Sequence, residues 1–425
     1  MSFLFVINIF IYFYLQFLKL SYISSYFKNR KFSGINPFII LFLFKLPVDL
    51  FKVVIGPPFI LENGTSNIYY NIAIAITSLS IFVEYLLLRF AFLISNKYTF
   101  NSYSLNIKTR YSRMICASIV FYILFVLFFY MLSSSSFGFF NWLKDPRTGY
   151  QLHRVGAGQF WVFSISFLSV SFAVFTLYVK KNISLFVFLL LYLYSAYLLG
   201  SKGIVLEFLI FFIIVLWIRR FRKLKKIALI MLPLALVLML VNFFSSMGYN
   251  GDGSDYKKVL SYFDYYVNSA MYFKEYYSGK IDLFYGQIYF SDFWSLIPRG
   301  LFPNKPYVYG ITHVNEYFFP GEAEQTNTPA FGGPINYFAD FGIFGVILMT
   351  FIDPLKFIYY FFLCQLLKNY EYEKIKGNLF VFIMFLFFTA PFFLFNLLFP
   401  LNIFFLLTVS LILLFINKIK INKLK

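Results

Sequence analysis

Apolar residues run almost unbroken through most of the chain, in blocks close to the length a bilayer requires. A helix crosses the hydrocarbon core with about 17–25 such residues. Blocks near that length fall at about 2–27, 37–60, 68–94, 114–134, 159–179, 183–200, 203–218, 227–247, 335–367, 378–396 and 399–416. The pattern predicts an all-α polytopic membrane protein of about 11 transmembrane helices, a single integral membrane domain over residues 1–425. The block at 335–367 is either one tilted helix or two pieces broken near Pro354. The first block lacks a basic n-region and a small-residue cleavage site, so it reads as a retained helix rather than a signal peptide.

One long polar stretch, 247–334, interrupts these blocks and holds two clusters of helix breakers, Ile297 to Pro306 and Thr328 to Pro334. From Asp255 to Tyr277 apolar side chains recur at helical spacing, with Lys257, Ser261, Asp264, Asn268 and Glu275 on the other side. That spacing predicts a helix lying on the membrane surface or over a cavity mouth. A second short helix is expected from Gln287 to Leu296, stopped by Pro298.

Charge sets the expected orientation. Of the 37 Lys and Arg residues, 22 sit in one alternating set of connections and the C-terminal tail, with only Glu371 and Glu373 beside them. Those connections are expected on the cytoplasmic side, which puts the N-terminus outside and the C-terminus inside. The other connections, 56–67, 135–158, Gly200-Ser201-Lys202-Gly203, 247–334 and the tight turn from Asn396 to Pro400, then face outward. They hold both histidines and, with Asp340, twelve of the eighteen acids. The 247–334 segment is thus expected to be a large, partly helical outer loop covering an active site.

Composition excludes the soluble classes: 60% of residues are hydrophobic, 13% are charged, and the mean hydropathy is +0.73. The net charge of +19 follows from the cytoplasmic basic loops, so nucleic acid is not an expected partner. Two cysteines, both in apolar blocks, leave no disulfide framework and no thiolate metal cluster. No internal repeat is evident, which weighs against inverted-repeat transporters.

Candidate chemistry collects in the outer segments. Loop 135–158 carries Arg147, His153 and Arg154 beside Trp142 and Tyr150. Guanidinium groups bind phosphate oxygens bidentately, and aromatic faces pack on sugar rings. Arg154, close to the next span, could equally snorkel to lipid headgroups. Lys202 places a lone cation in a small turn, with either a negative ligand, anionic lipid or Glu207 as partner. Three prolines from Pro298 to Pro306 stiffen the backbone so that Arg299 and Lys305 are expected to project from it. His313, Glu316, Glu322 and Glu324 follow, residue types suited to general acid or base work. Their spacing matches no metal signature, so no metal is predicted. Within the membrane, Lys45, Asp49 and Lys52 share one helical face, and Glu84, Arg89 and Glu207 are further buried candidates.

These residues give the chain a resemblance to the O-antigen polymerase class of oligosaccharide repeat-unit polymerases, over roughly residues 110–350. The resemblance rests on the span count, the Arg/His-bearing loop, the Gly200 to Gly203 turn, and the outer loop from Ile297 to Pro306 followed by Asn336 to Gly342. The turn carries Lys202 where the class has arginine, which keeps the charge and loses the bidentate fork. The resemblance implies a multi-pass protein of the bacterial cytoplasmic (inner) membrane, embedded among membrane lipids. Its implied activity is polymerisation of undecaprenyl-diphosphate-linked oligosaccharides into O-antigen, capsule or exopolysaccharide, beside a flippase and a chain-length regulator of the same pathway. No cofactor is implied, and the glycosyl transfer is expected to be metal-independent. The expected diphosphate clamp is Arg147, Arg154 and Arg299 with Lys202 and Lys305; Trp142 and Tyr150 would stack on sugar; His313 or Glu322 would accept the hydroxyl proton. Two alternatives stand beside it: an O-antigen ligase-type glycan transferase, and a flippase or exporter of the same lipid-linked sugars.

Overall fold

The structure is a computed structural model, and it describes residues 3–26, 36, 39, 42–43, 46, 49–55, 67–97, 111–152, 157–180, 182–200, 202–219, 265–297, 302–324, 329–368, 408–409, 411–413 and 415. Among the described residues there is no strand. The helices in chain order are α1 (Phe3–Ser25), a π-helical turn (Phe51–Ile55), α2 (Asn67–Lys97), α3 (Tyr111–Ser136), α4 (Phe139–Lys144), α5 (Pro146–Leu152), α6 (Gly158–Tyr178), α7 (Asn182–Leu198), α8 (Lys202–Ile218), α9 (Tyr265–Tyr277), α10 (Gln287–Ser291), a 3-10 turn (Asp292–Leu296), α11 (Thr312–Phe318), α12 (Ile335–Phe351) and α13 (Pro354–Lys368).

By length and composition, five described stretches can cross a membrane: Phe3–Ser25, Ile68–Lys97, Ser112–Ser136, Gly158–Tyr178 and Ile335–Lys368. Helices α7 and α8 are apolar and shorter, 17 residues each. The expected spans at 2–27, 68–94, 114–134, 159–179, 183–200 and 203–218 coincide with α1, α2, α3, α6, α7 and α8. The block at 335–367 forms two helices parted at Asp353-Pro354. The spans expected at 227–247 and 378–396 lie outside the described residues, and 37–60 and 399–416 are described only in part.

The chain divides into two compact units, one of Met1–Ile94 with Phe243–Tyr360 and one of Ser95–Asn242 with Phe361–Lys425. In the second unit, α3 and α6 pack through serines whose small side chains let the backbones approach closely. Ser118 Oγ donates to the Ser171 carbonyl at 2.9 Å, and Ser171 Oγ donates back to the Ser118 carbonyl at 2.8 Å. At one end of this unit Arg219 donates to the carbonyls of Thr176 and Val179 at 2.9 and 2.8 Å, satisfying the open C-terminus of α6. At the other end two indoles do the same for α7, Trp142 Nε1 to Leu198 O at 2.7 Å and Trp161 Nε1 to Leu199 O at 3.2 Å. Helices α6 and α8 therefore run alongside each other with α7 antiparallel. Segment 139–152 and the turn after α7 lie at the end away from Arg219.

In the first unit the aromatic face of α9 forms a core with α12. Tyr272, Phe273 and Phe338 are each under 2% exposed; burying such a ring contributes about 1.5–3 kcal/mol. The segment before α12 is clamped onto α9: Gly332 N–H donates to Tyr265 O at 2.7 Å, Ser269 Oγ to Gly332 O at 2.8 Å, and Asn268 Nδ2 to Ala330 O at 2.9 Å. Helix α9 begins at Tyr265 among the described residues, and the earlier part of the amphipathic helix expected from Asp255 lies outside them. The short helix expected at Gln287–Leu296 is present as α10 followed by the 3-10 turn, ending before Pro298. Within the apolar helices of this unit, Lys19 pairs with Glu84 at 2.8 Å, and the Tyr360 hydroxyl donates to the same carboxylate. Arg89 lies 5.9 Å from the ring centroids of Tyr22 and Tyr85. Lys45 lies outside the described residues. Lys52 has its ammonium 4.0 Å from the Tyr265 ring centroid.

Candidate active site

The expected site residues fall in both units, and each unit is described by itself. In the second unit Pro146 occupies the first helical position of α5, where its missing N–H costs nothing. Asp145 caps the helix, accepting from Thr148 N–H at 3.1 Å and from Thr148 Oγ1 at 2.6 Å, and these bonds hold its carboxyl below the usual carboxylate range. The cap presents Arg147 in the first turn and Tyr150 one turn later. The Arg147 guanidinium lies 5.2 Å from the Tyr150 ring centroid, and its buried Nε has no hydrogen-bond partner. No carboxylate pairs with Arg147 among the described residues. A half-buried guanidinium, with its Nε shielded and an aromatic ring beside it, suits an anionic ligand with flat oxygen edges.

The turn after α7 sits directly on this helix. Gly200, at φ +69°, has Pro146 O within 2.1 Å of where a Cβ would stand. Two segments far apart in the chain, the Arg147 helix and the turn that leads into Lys202, are thus in contact. Lys202 begins α8, and Arg154, with His153, lies outside the described residues. Tyr150 packs on Trp161 with ring centroids 5.6 Å apart. Trp142 corrects the expectation of a sugar platform. It is fully buried, with Gly149 flush against its ring and its indole N–H committed to Leu198 O, so it has no face for a ligand.

In the first unit the site is organised by a break in α12. Gly342 adopts φ 65°, ψ −156°, which only glycine tolerates, and the helix is interrupted there. Two carbonyls just before the break are taken by the preceding loop: Phe284 N–H donates to Ala339 O at 2.8 Å and Tyr285 N–H to Asp340 O at 3.1 Å. The buried Asp340 carboxylate then accepts the N–H groups of Ile288 at 3.0 Å and Tyr289 at 2.6 Å, capping α10 from another element. Helix α12 is therefore kinked at Gly342, and the residues just before the kink anchor α10.

That anchoring places Ser291, the last residue of α10, against α11. His313 Nε2 lies 3.1 Å from Ser291 Oγ, and the Gly310 N–H donates to the same oxygen at 2.9 Å. The Phe284 ring is 6.3 Å from the imidazole. Burial pushes His313 below its ordinary pKa, with the Asp340 carboxylate opposing. Asp292 lies against the Gly310 Cα, and burial raises its carboxyl, with the Lys305 ammonium opposing. The result is a half-buried neutral imidazole beside carboxylates, an arrangement suited to accepting a proton.

Three further expectations meet the structure here. Lys305 does not project: it is 8% exposed, its Nζ donates to Ile297 O at 3.0 Å, and it lies 4.4 Å from the Tyr309 ring centroid. It braces the proline-rich loop from inside because a lysine stem packs well under aromatic cover. Glu322 sits in the turn after α11, and no hydrogen bond or ion pair joins it to His313 among the described residues. Arg299 lies outside the described residues. The participants that sequence reasoning missed are Ser291 and Asp292; the sole signal for them was the helix expected at Gln287–Leu296, which carries both. Among the described residues no group of three or more His, Cys, Asp or Glu side chains is gathered as for a metal.

No profile of a known protein family matches the chain, and no solved structure matches it. The chain is similar to the O-antigen polymerase of Salmonella typhimurium and to that of Salmonella typhi, each 29% identical over 252 residues, 59% of this chain and 59% of the relative. It thus spans about three-fifths of the length of the curated relatives it matches. In sequence the chain is O-antigen polymerase-like, as the resemblance carried by its outer segments had it.

Proposed function

We propose that the chain polymerises oligosaccharide repeat units carried on undecaprenyl diphosphate, on the outer face of the bacterial cytoplasmic membrane. The observation that carries this reading is the similarity to O-antigen polymerases over 252 residues. The side-chain arrangements within each unit are compatible with it.

In the proposed reaction a hydroxyl of the terminal sugar of an incoming lipid-linked repeat attacks the anomeric carbon of the growing chain. The new glycosidic C–O bond forms as the bond from that carbon to the diphosphate oxygen breaks. The hydroxyl proton passes to His313, which burial keeps neutral and able to accept it. The electron pair leaves on undecaprenyl diphosphate, whose growing charge Arg299, in the same unit as His313, would meet; Arg147, Arg154 and Lys202 of the other unit are the proposed cations there for a lipid-linked diphosphate. Fixed cations in a site of low dielectric stabilise such a leaving group more in the transition state than in the ground state. Tyr150 lines the Arg147 face. Lys305 and Trp142 hold the scaffold.

The reading is tested in cells. Deleting the gene should leave surface glycans that carry single repeats, and restoring it should restore long chains. Arg299→Ala should insert normally yet yield single repeats; long chains from that variant would overturn the clamp.

A further inference from the structure

Ser291 Oγ has three polar neighbours, and their chemistry leaves one assignment that satisfies all of them. Gly310 N–H is a donor at 2.9 Å and takes one lone pair. Ile288 O, which also accepts the Asp292 N–H, lies at 3.4 Å and can engage Ser291 only through the hydroxyl hydrogen. His313 Nε2, at 3.1 Å, is then left facing the second lone pair. A hydroxyl offers one hydrogen and two lone pairs, so every contact is made when Nε2 carries the ring proton. The opposite assignment spends the hydrogen on Nε2 and leaves the contact to Ile288 O unmade.

We infer that Ser291 is a positioning residue that holds His313 in the Nε2–H tautomer, so that Nδ1 bears the lone pair available to take a proton. The proton's place on an imidazole is set by the bond that the other nitrogen makes. Here the holding bond is itself fixed from two sides. Asp340 pins the start of α10 at Ile288 and Tyr289, and the Gly310 N–H fixes the oxygen at its end. Gly310 stands at φ +57° with Asp292 Oδ1 2.5 Å from where a Cβ would lie, so this approach admits no larger residue. The Phe284 ring lies beside the imidazole and is held through its own N–H on Ala339 O.

The inference rests on the proposed role of His313 as proton acceptor, and the two fail separately. The chain has two histidines, so His153→Gln leaves His313 as the sole imidazole. Purified in detergent with 15N-histidine, that protein reports its tautomer directly through the two ring nitrogen shifts. The expected result is a proton on Nε2 in His153→Gln. In His153→Gln/Ser291→Ala the Nδ1–H form should rise by about fivefold, the bias of one ordinary hydrogen bond, and Ser291→Thr should restore the original spectrum. Polymer formation should fall by about tenfold in Ser291→Ala through kcat, with KM unchanged. A proton on Nδ1 in the parent, or identical ring shifts with and without the Ser291 hydroxyl, would overturn the inference. If the tautomer is held but His313→Ala polymerises normally, the base assignment falls and the Ser291 contact stands.

Discussion

Gly200 lies so close to Pro146 that a Cβ on it would come within 2.1 Å of the Pro146 carbonyl oxygen. This contact joins the turn before Lys202 to the helix that carries Arg147. Gly200→Ala therefore meets both a clash and the left-handed backbone at φ +69°. The expected cost is about 1–3 kcal/mol, read as a lower thermal unfolding temperature in detergent. Polymer formation should fall with it, because the turn and α5 lose their register.

Asp340 should prove essential without touching substrate. Asp340→Ala removes two charge-assisted bonds to the α10 backbone, each of the order of 1.5–3 kcal/mol. Protein yield and unfolding temperature should both drop. Asp340→Asn keeps one acceptor and should fall between. The removal of the anion also lowers the His313 pKa further, since that carboxylate is what opposes burial.

The pH profile follows from the sign of the His313 shift. Burial places its pKa below the ordinary value of about 6.5. A base that must be neutral is active above its pKa, so the acid limb of polymerisation should lie below pH 6.5. Stability runs the same way: this histidine's contribution is complete above the unfolded pKa and is lost as pH falls through the folded one. Activity measured from pH 5 to 8 checks the limb, and His313→Ala should lower the rate by about 10²–10⁴-fold.

Arg147 is the proposed clamp cation whose side chain the structure describes, and its test separates charge from geometry. Arg147→Ala should reduce polymerisation by about 10²–10³-fold, with the protein still inserted. Arg147→Lys should recover little, because an ammonium cannot present two parallel N–H groups to a phosphate. A variant as active as the parent would remove Arg147 from the site.

The long helices were legible because apolar block length marks them: α1, α2, α3, α6, α7 and α8 coincide with expected runs, and of these α1, α2, α3 and α6 are long and apolar enough to cross a membrane. The kink at Gly342 has a cause in the residue type, since glycine alone tolerates its φ of 65°. Lys305 and Trp142 were read wrongly. A sequence shows a cation and an indole but not what lies over them, and here Tyr309 and Gly149 cover them. Ser291 and Asp292 were missed because their roles come from contacts with Gly310 and His313 about twenty residues on, which no local spacing reveals. Segments 139–152 and 312–318 hold short helices where loops were expected; in the first, the Asp145 cap and the contact of Gly149 with Trp142 stand in for apolar periodicity.

The most direct measurement uses the purified protein in detergent, supplied only with undecaprenyl-diphosphate-linked repeats, with glycan length followed by mass spectrometry. The expected result is a ladder of lipid-linked chains growing by whole repeats as free undecaprenyl diphosphate accumulates. Unchanged single repeats, from a protein shown to be folded, would contradict the account.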